Sequence, residues 1–207
     1  MRLSALRSVF AAIALGLLVA SCGYNTIPTL EEQAKAQWSE VQNQYQRRND
    51  LINNLVETVK GAANFEKGTL EAVVNARAKA TSIQITPGDL SDPAKVKQFQ
   101  DAQNQLSGAL GRLIAVSENY PDLKANQNFL ALQSQIEGTE NRIAVARRDY
   151  IASVQQFNTS LRTFPTVLWA KTLYSGQKPA LPFTAAVSAQ TAPTVSFDAP
   201  AAQPAAK

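Results

Sequence analysis

The sequence predicts an all-α protein, folded as an antiparallel up-and-down four-helix bundle with long helices and a short C-terminal capping helix. The first observation is a long segment, Asn126 to Phe164, in which apolar or small residues recur in steps of three and four. That spacing places them along one side of a helix. The second is that the nine glycines and ten prolines lie mostly outside the periodic segments. A middle region with few helix breakers favours long helices.

The segment from Asn126 to Phe164 is the element around which the other helices are expected to pack. As a helix it would be about 55 Å long, because each residue adds 1.5 Å. A helix of this length with one apolar stripe is unstable alone, so it must lie against other long helices. The residues of the stripe are Phe129, Leu132, Ile136, Thr139, Ile143, Ala146, Tyr150, Val154, Phe157, Leu161 and Phe164.

Three more helices are predicted upstream, after a linker formed by residues 22–28. Thr29 and Glu32 have the spacing of a capping box at the start of the first helix. Asp92 is a good N-cap for the third helix, with Pro93 at its first position. Chain compaction favours a turn over a kink between the first two helices. The predicted spans are Thr29 to Ala63, Asn64 to Ile83 and Asp92 to Asn119.

The C-terminal part is predicted to be short and irregular. Pro165 ends the long helix, and the apolar piece Val167 to Tyr174 is expected to fold back and cover one end of the bundle with Trp169. The alternative is an exposed aromatic patch that docks a partner or lipid. Residues 176–182 are a turn-rich exit from the helical region, which ends at residue 183. Residues 184–207 are rich in Ala, Pro, Ser, Thr and Gln without periodicity, and are predicted to be disordered.

Composition excludes several classes of chemistry. The chain has no histidine and a single cysteine, Cys22. It therefore has no histidine for acid–base catalysis or catalytic triads, no Cys/His zinc pattern and no internal disulfide. The net charge is +4, which falls to +2 without Arg2 and Arg7, and no basic stripe suggests nucleic-acid binding. Carboxylate chemistry and metal sites built only from oxygen ligands remain possible, but no catalytic motif stands out, and we expect no enzymatic activity, no cofactor and no metal.

Residues 1–21 are predicted to be a lipoprotein signal peptide. Two arginines precede a short apolar run, residues 9–20, which is too short to span a bilayer. The run ends in Val19-Ala-Ser-Cys22, which resembles a bacterial lipobox. The resemblance implies cleavage before Cys22, acylation of that residue and a lipid anchor. Gly23 in place of Asp favours the periplasmic face of the outer membrane over the inner membrane. The alternatives are an ordinary signal peptide or a short uncleaved anchor.

Polar residues interrupt two of the predicted helices and form the candidate site. Arg48 breaks an otherwise apolar stripe, and a buried guanidinium needs a carboxylate or carbonyl partner. In an antiparallel bundle that partner could be Glu140 or Glu137. The set could be a recognition site, a register-setting polar layer or a solvated face. Its members are Arg47, Arg48, Asp50, Asn54, Glu140, Asn141, Arg142, Arg147 and Arg148.

Several motifs resemble the LemA family. They include Arg47-Arg-Asn-Asp-Leu51, Tyr120-Pro-Asp-Leu-Lys-Ala-Asn126 and Thr139-Glu-Asn-Arg-Ile-Ala-Val-Ala-Arg-Arg-Asp-Tyr150. The resemblance covers about Tyr24 to Phe183. It implies a membrane-associated bacterial protein with an up-and-down helical bundle and no established enzymatic activity. Many members carry a transmembrane anchor at the N-terminus, whereas this chain has the apparent lipobox.

We therefore expect a non-enzymatic scaffold or adaptor in the cell envelope. It would be held to the membrane through acylated Cys22 and would bind protein partners through a helical face. One alternative is a hydrolase or small-ligand-binding protein that uses Arg48 and Glu140 in a pocket between helices. Another is direct action on bilayers, with the bundle lying along the membrane.

Overall fold

The structure is a computed structural model that describes residues 23–61 and 65–184. Within these ranges the protein is helical and has no β-strand. The predicted signal peptide with Cys22, and the predicted disordered tail beyond Thr184, lie outside the described residues. The described helices are α1 (Thr26–Lys60), α2 (Lys67–Ser82), a 3₁₀ helix (Pro87–Ser91), α3 (Pro93–Ser117), α4 (Pro121–Lys124), α5 (Gln127–Ser160) and α6 (Thr166–Lys171).

The two longest helices, α1 and α5, pack together over their length and run antiparallel. Trp38 contacts Tyr150, with ring centroids 5.4 Å apart. Ten residues further along α1, Arg48 contacts Glu140. Residue numbers rise on one helix as they fall on the other, which is the mark of antiparallel pairing. Each helix is about 50 Å long at 1.5 Å per residue. The long apolar stripe on each of these helices predicted that each would pack against another long helix.

Helices α2 and α3 form a shorter hairpin that packs on this pair. Lys79 donates to Gln105 Oε1, and Gln103 donates to the Ala80 carbonyl, so these two helices also run antiparallel. Arg77 Nε donates to the Asn49 carbonyl at 3.1 Å, which joins α2 to α1. The chain therefore turns between α1 and α2, as predicted, because a kinked continuous helix could not return to residue 49.

A C-terminal segment, residues 172–184, completes the core beyond the end of α2, next to the start of α3. Helix α2 has 16 residues and α1 has 35, so the hairpin leaves part of the long pair uncovered. The segment covers this region: the Leu181 amide donates to the Leu90 carbonyl at 2.8 Å, and Asn158 exchanges two hydrogen bonds with Ala180. Phe183 is buried by the same packing. Residues 176–182 were predicted as a turn-rich exit, but in the structure they lead into residues that pack in the folded core.

The apolar interior divides into two clusters. One surrounds Trp38 and Tyr150, near the start of α1 and the end of α5, and includes Phe183. The other surrounds Leu55 and Leu106, towards the opposite end, where α2 and α3 contribute most. Arg48 and Glu140 lie between them along α1 and α5. Every position of the predicted α5 stripe from Phe129 to Phe157 is buried except Leu132, which is half-buried and packs against the second cluster.

The predicted N-caps of α3 and α5 are confirmed. The Asp92 carboxylate accepts from the amides of Ala94 and Lys95. The Asn126 side chain accepts from the amides of Asn128 and Phe129. Both side chains thus satisfy amides that have no partner within the first turn.

Two predicted boundaries are wrong. Helix α1 begins at Thr26, not at Thr29, so the proposed capping box of Thr29 and Glu32 is absent. Pro28 lies in the first turn, where the missing amide proton costs nothing because those amides have no helical partner. Helix α5 ends at Ser160, and Phe164 is 72% exposed instead of continuing the buried stripe.

Candidate functional site

Arg48 is the centre of the polar layer that separates the two apolar clusters. Its side chain is 1% exposed, although it carries a full charge. Nη1 donates to Glu140 Oε1 and to Ser107 Oγ, each at 2.9 Å, and Nη2 donates to Gln103 Oε1. One side chain of α1 is thus bound to α3 twice and to α5 once. Among the described residues, its Nε has no acceptor.

Glu140 is the carboxylate that compensates the buried guanidinium. Its side chain is 38% exposed, so one end of the ion pair reaches solvent while the other is enclosed. This geometry limits the desolvation cost, because only one of the two charges is fully removed from water. Of the two partners considered for Arg48 from the sequence, Glu137 is exposed and accepts from Gln133 instead.

Gln103 and Tyr45 enclose the guanidinium further. The Gln103 amide is buried, accepts from Arg48 and donates to the Ala80 carbonyl at 3.3 Å, so it connects three helices. The Tyr45 ring lies 5.0 Å from the Arg48 Cζ, in cation–π range. Burial raises the pKa of Tyr45, and the nearby charges of Arg147 and Arg48 oppose that rise. The phenol is therefore neutral at physiological pH.

An aromatic cluster lies beside this polar layer. Trp38 contacts Phe99, Tyr150 and Phe183, with ring centroids 5.4 to 5.7 Å apart. The indole Nε1 donates to the Ile85 carbonyl at 3.3 Å. The Arg147 Cζ lies 4.6 Å from the centre of the Phe183 ring. The last buried residue of the C-terminal segment is thus held between an indole and a guanidinium.

The remaining residues of the predicted site are dispersed over the surface. Asp50 accepts from Gln46 on its own helix, and Arg148 contacts the neighbouring Asp149 at 3.5 Å. Arg147 is half-buried over Phe183. Of the predicted residues, the structure therefore brings only Arg48 and Glu140 into contact. Arg147 lies close to Tyr45, the residue whose ring packs on Arg48. The exposed members are Arg47, Asp50, Asn54, Asn141, Arg142 and Arg148.

Sequence reasoning missed Gln103, Ser107 and Phe183. Gln103 lies four residues after Phe99 and three before Leu106, so it occupies the buried stripe of α3. A polar residue at such a position, like Arg48 on α1, is the signal that could have paired the two. No comparable signal marks Phe183, because the segment around it has no helical or strand periodicity.

The described residues contain no group of three or more Asp, Glu or Cys side chains arranged to hold a metal ion. A concave site at the far end of the molecule from Gly23 has a volume of about 540 Å³. Tyr120, Glu57 and Asp122 are among its lining residues. Neither Arg48 nor Glu140 lines it. Over residues 23–61 and 65–184, no helix combines the length and apolarity needed to cross a membrane.

These features define the chain as an all-helical protein built on one long antiparallel helix pair, with a polar layer inside and a C-terminal segment that completes the core. A family model described as the LemA family matches residues 37–197, which is most of the chain. The chain belongs to the LemA family. The resemblance noted in the sequence is thereby confirmed, while lipid anchoring is not addressed by this match.

Curated relatives share the family likeness at modest identity. Magnetosome protein MamQ 2 of Paramagnetospirillum magneticum is 28% identical over 161 residues, which cover 69% of this chain and 58% of that protein. Protein LemA of Metamycoplasma hominis is 29% identical over 120 residues, or 58% of this chain and 51% of that protein. Magnetosome protein MamQ of Magnetospirillum gryphiswaldense is 26% identical over 160 residues, 69% of this chain and 58% of that protein. The chain thus spans little more than half the length of these relatives.

Proposed function

We propose that this protein is a non-enzymatic scaffold or adaptor of the bacterial cell envelope, tethered by acylated Cys22 to the periplasmic face of the outer membrane. Its four longest helices, α1, α2, α3 and α5, form an antiparallel up-and-down bundle capped by α6. The protein binds other proteins through the outer face of the long helices. It takes no cofactor, metal or nucleic acid.

The engagement of Arg48 is the observation that carries this proposal. Both of its terminal nitrogens are bound to side chains of the protein itself. The buried guanidinium of Arg48 therefore joins three helices and is not presented to a ligand. A polar layer of this kind sets the register of a bundle.

The alternative of an Arg48–Glu140 ligand site or hydrolytic site has less support. Such a site needs a cleft in which a substrate can reach both groups. Arg48 is 1% exposed, and the concave site near Tyr120 includes neither residue. Only the exposed part of Glu140 could meet a substrate from solvent.

Exposed apolar residues on the long helices indicate where partners could bind. Leu130 and Val145 on α5 are 47% and 45% exposed, and Val74 on α2 is 41% exposed. Apolar side chains make up the buried core of a protein interface, and charged residues are depleted there. They are well suited to carry a photo-crosslinking residue, because replacing them leaves the core intact.

The test is site-specific crosslinking in living cells. A photo-crosslinking residue placed at Val145 should give discrete adducts with other envelope proteins. The matched control places it at Gln155, an exposed polar position further along the same helix. Adducts at Val145 and not at Gln155 would support the scaffold. An absence of adducts at Val145, Leu130 and Val74 alike would refute it.

A further inference from the structure

One end of the molecule exposes an unusual amount of apolar surface. We define the terminal apolar patch as Tyr24, Phe164, Leu168 and Leu173, which are 47%, 72%, 56% and 61% exposed. They are four of the seven large apolar side chains that are exposed among the described residues. They come together because α1 begins, α5 ends and α6 folds back at this end. Isolated apolar residues on a surface are ordinary, but a cluster marks a contact site.

The patch is attached to an ordered base. Trp169 packs against the Tyr24 ring at 5.7 Å and against the first core cluster, and the Tyr174 hydroxyl donates to the Tyr24 carbonyl. Phe164 lines a groove of about 590 Å³ with Leu30 and Ala152. The exposed side chains therefore lie beside half-buried aromatic ones that pack on the core, and the apolar surface continues into the groove.

The chain outside the structure joins this same end. Gly23 has φ of +113°, in the left-handed region that favours glycine, and a Cβ there would lie 3.2 Å from Thr166 Cγ2. The start of the described chain therefore lies close to the base of α6, where only a glycine leaves enough space. The preceding residue is Cys22, the predicted site of acylation, and the apolar run of residues 9–20 lies before it. A lipid attached to Cys22 would therefore be joined to the protein next to the terminal apolar patch.

Charge at this end matches an anionic surface. From Tyr150 to Thr184 the chain contains three basic residues, Arg162, Lys171 and Lys178, and no acidic residue. The nearest acidic residues of α1 are already engaged: Glu31 pairs with Lys35 at 2.9 Å and accepts from Gln177 at 2.7 Å. Glu32 also pairs with Lys35. Basic residues next to exposed aromatic and leucine side chains are typical of contact with a bilayer interface.

We propose that the terminal apolar patch rests on an anionic lipid bilayer, so that the bundle stands end-on to the membrane. The proposal builds on the lipid tether proposed above and adds the face and orientation of contact. Phe164, Leu168 and Leu173 enter the interfacial region, while Arg162, Lys171 and Lys178 meet lipid phosphates. The opposite end, where α5 begins, points away from the membrane.

The test measures which end of the molecule touches lipid. The mature full-length protein, isolated from membranes, is reconstituted into vesicles of phosphatidylcholine and phosphatidylglycerol that contain brominated acyl chains, which quench tryptophan on contact. A Trp169→Phe background leaves Trp38, 2% exposed, as the internal reference. Leu168→Trp and Leu173→Trp then report on the patch. Leu130→Trp is the matched control, because it replaces another exposed leucine, 47% exposed, that lies about 45 Å from the end of α5.

We expect the indoles at positions 168 and 173 to lose at least half of their fluorescence in brominated vesicles, and the indole at position 130 to lose none. Quenching at all three positions would show a bundle lying flat and would overturn the end-on contact. Absence of quenching at 168 and 173 in a protein that floats with the vesicles would overturn the contact while leaving the tether intact. A protein that does not float at all would overturn both.

Discussion

At the level of single residues, the burial of Arg48 is the feature that needs the most compensation. A charge that is 1% exposed must exchange its hydration for hydrogen bonds within the protein. Glu140, Ser107 and Gln103 supply them. The need for a partner could be predicted from the sequence, since an arginine interrupted an apolar stripe. The polar position of Gln103 within the α3 stripe was visible in the sequence, but the contact with Ser107 was not, because the register of α3 against α1 depends on packing that no local pattern encodes.

Removing the carboxylate of this ion pair should destabilise the fold. We expect Glu140→Gln to lower the free energy of unfolding by about 1–3 kcal/mol, because it leaves a buried guanidinium without its counter-charge. Urea denaturation measures the change. Asp101→Asn is the control: it breaks an exposed pair with Lys97 and should alter stability by less than about 0.5 kcal/mol.

Removing both charges should cost less than removing the carboxylate alone. In the double variant Arg48→Met and Glu140→Gln no unpaired charge stays buried, so part of the stability should return. The same urea titration reports it. If Glu140→Gln were as stable as the parent but inactive in cells, Glu140 would be a functional group, and the structural interpretation of the ion pair would be wrong.

At the level of elements, helices α1, α3 and α5 followed from periodicity, and the starts of α3 and α5 also followed from their capping residues. Asp92 and Asn126 fixed two starts because each supplies an acceptor for amides of the first turn. The C-terminal segment did not follow. Its contacts are a few separate hydrogen bonds and one buried ring, and they come from residues with no repeating pattern. These contacts exist only once α1 and α5 have packed together, so no local pattern predicts them.

Truncating Phe183 should release the C-terminal segment. We expect Phe183→Ala to cost roughly 3 kcal/mol of docking free energy, which corresponds to about a hundredfold faster amide exchange. Hydrogen exchange at the amides of Ala180 and Leu181 measures this, since both are bonded to the body of the protein. Lys178→Ala, at an exposed position of the same segment, is the control and should leave both rates unchanged. Equal exchange in the two variants would mean that Phe183 does not hold the segment.

The 3₁₀ helix should contribute to acid sensitivity. The ion pair with Lys95 and hydrogen bonds from Thr86 hold the pKa of Asp89 at about 2, below its ordinary value of 3.8. Because the folded pKa is the lower one, the unfolded state binds more protons between these values. The stabilising effect is therefore present above about pH 4 and is lost as the pH falls towards 2.

The variant that tests this is Asp89→Asn, compared with the parent by thermal unfolding from pH 5 to pH 2. The asparagine cannot titrate, so its stability should fall less steeply with acid over this range. Parallel curves for the two proteins would contradict the assigned role of Asp89.

At the level of the whole molecule, the class of fold and the family were predictable, and the manner of action was not. Helical periodicity over most of the chain required long helices to pair, and the motifs around Arg47, Tyr120 and Thr139 carried the family resemblance that the family model confirmed. The concentration of apolar surface at one end depends on where α1 begins and how α6 folds back. Phe164 looked like one more buried position of α5, yet it is exposed beside the start of the chain.

The central claim is that a lipid on Cys22 holds the protein at the end marked by Gly23. Mass spectrometry of the N-terminal peptide from the membrane fraction tests it most directly. We predict that the mature chain begins at Cys22 and carries the mass of a diacylglyceryl group on sulfur with a further acyl chain on the amine, and that Cys22→Ala abolishes this species. A mature protein that begins at another residue, or that carries an unmodified Cys22, would contradict the account.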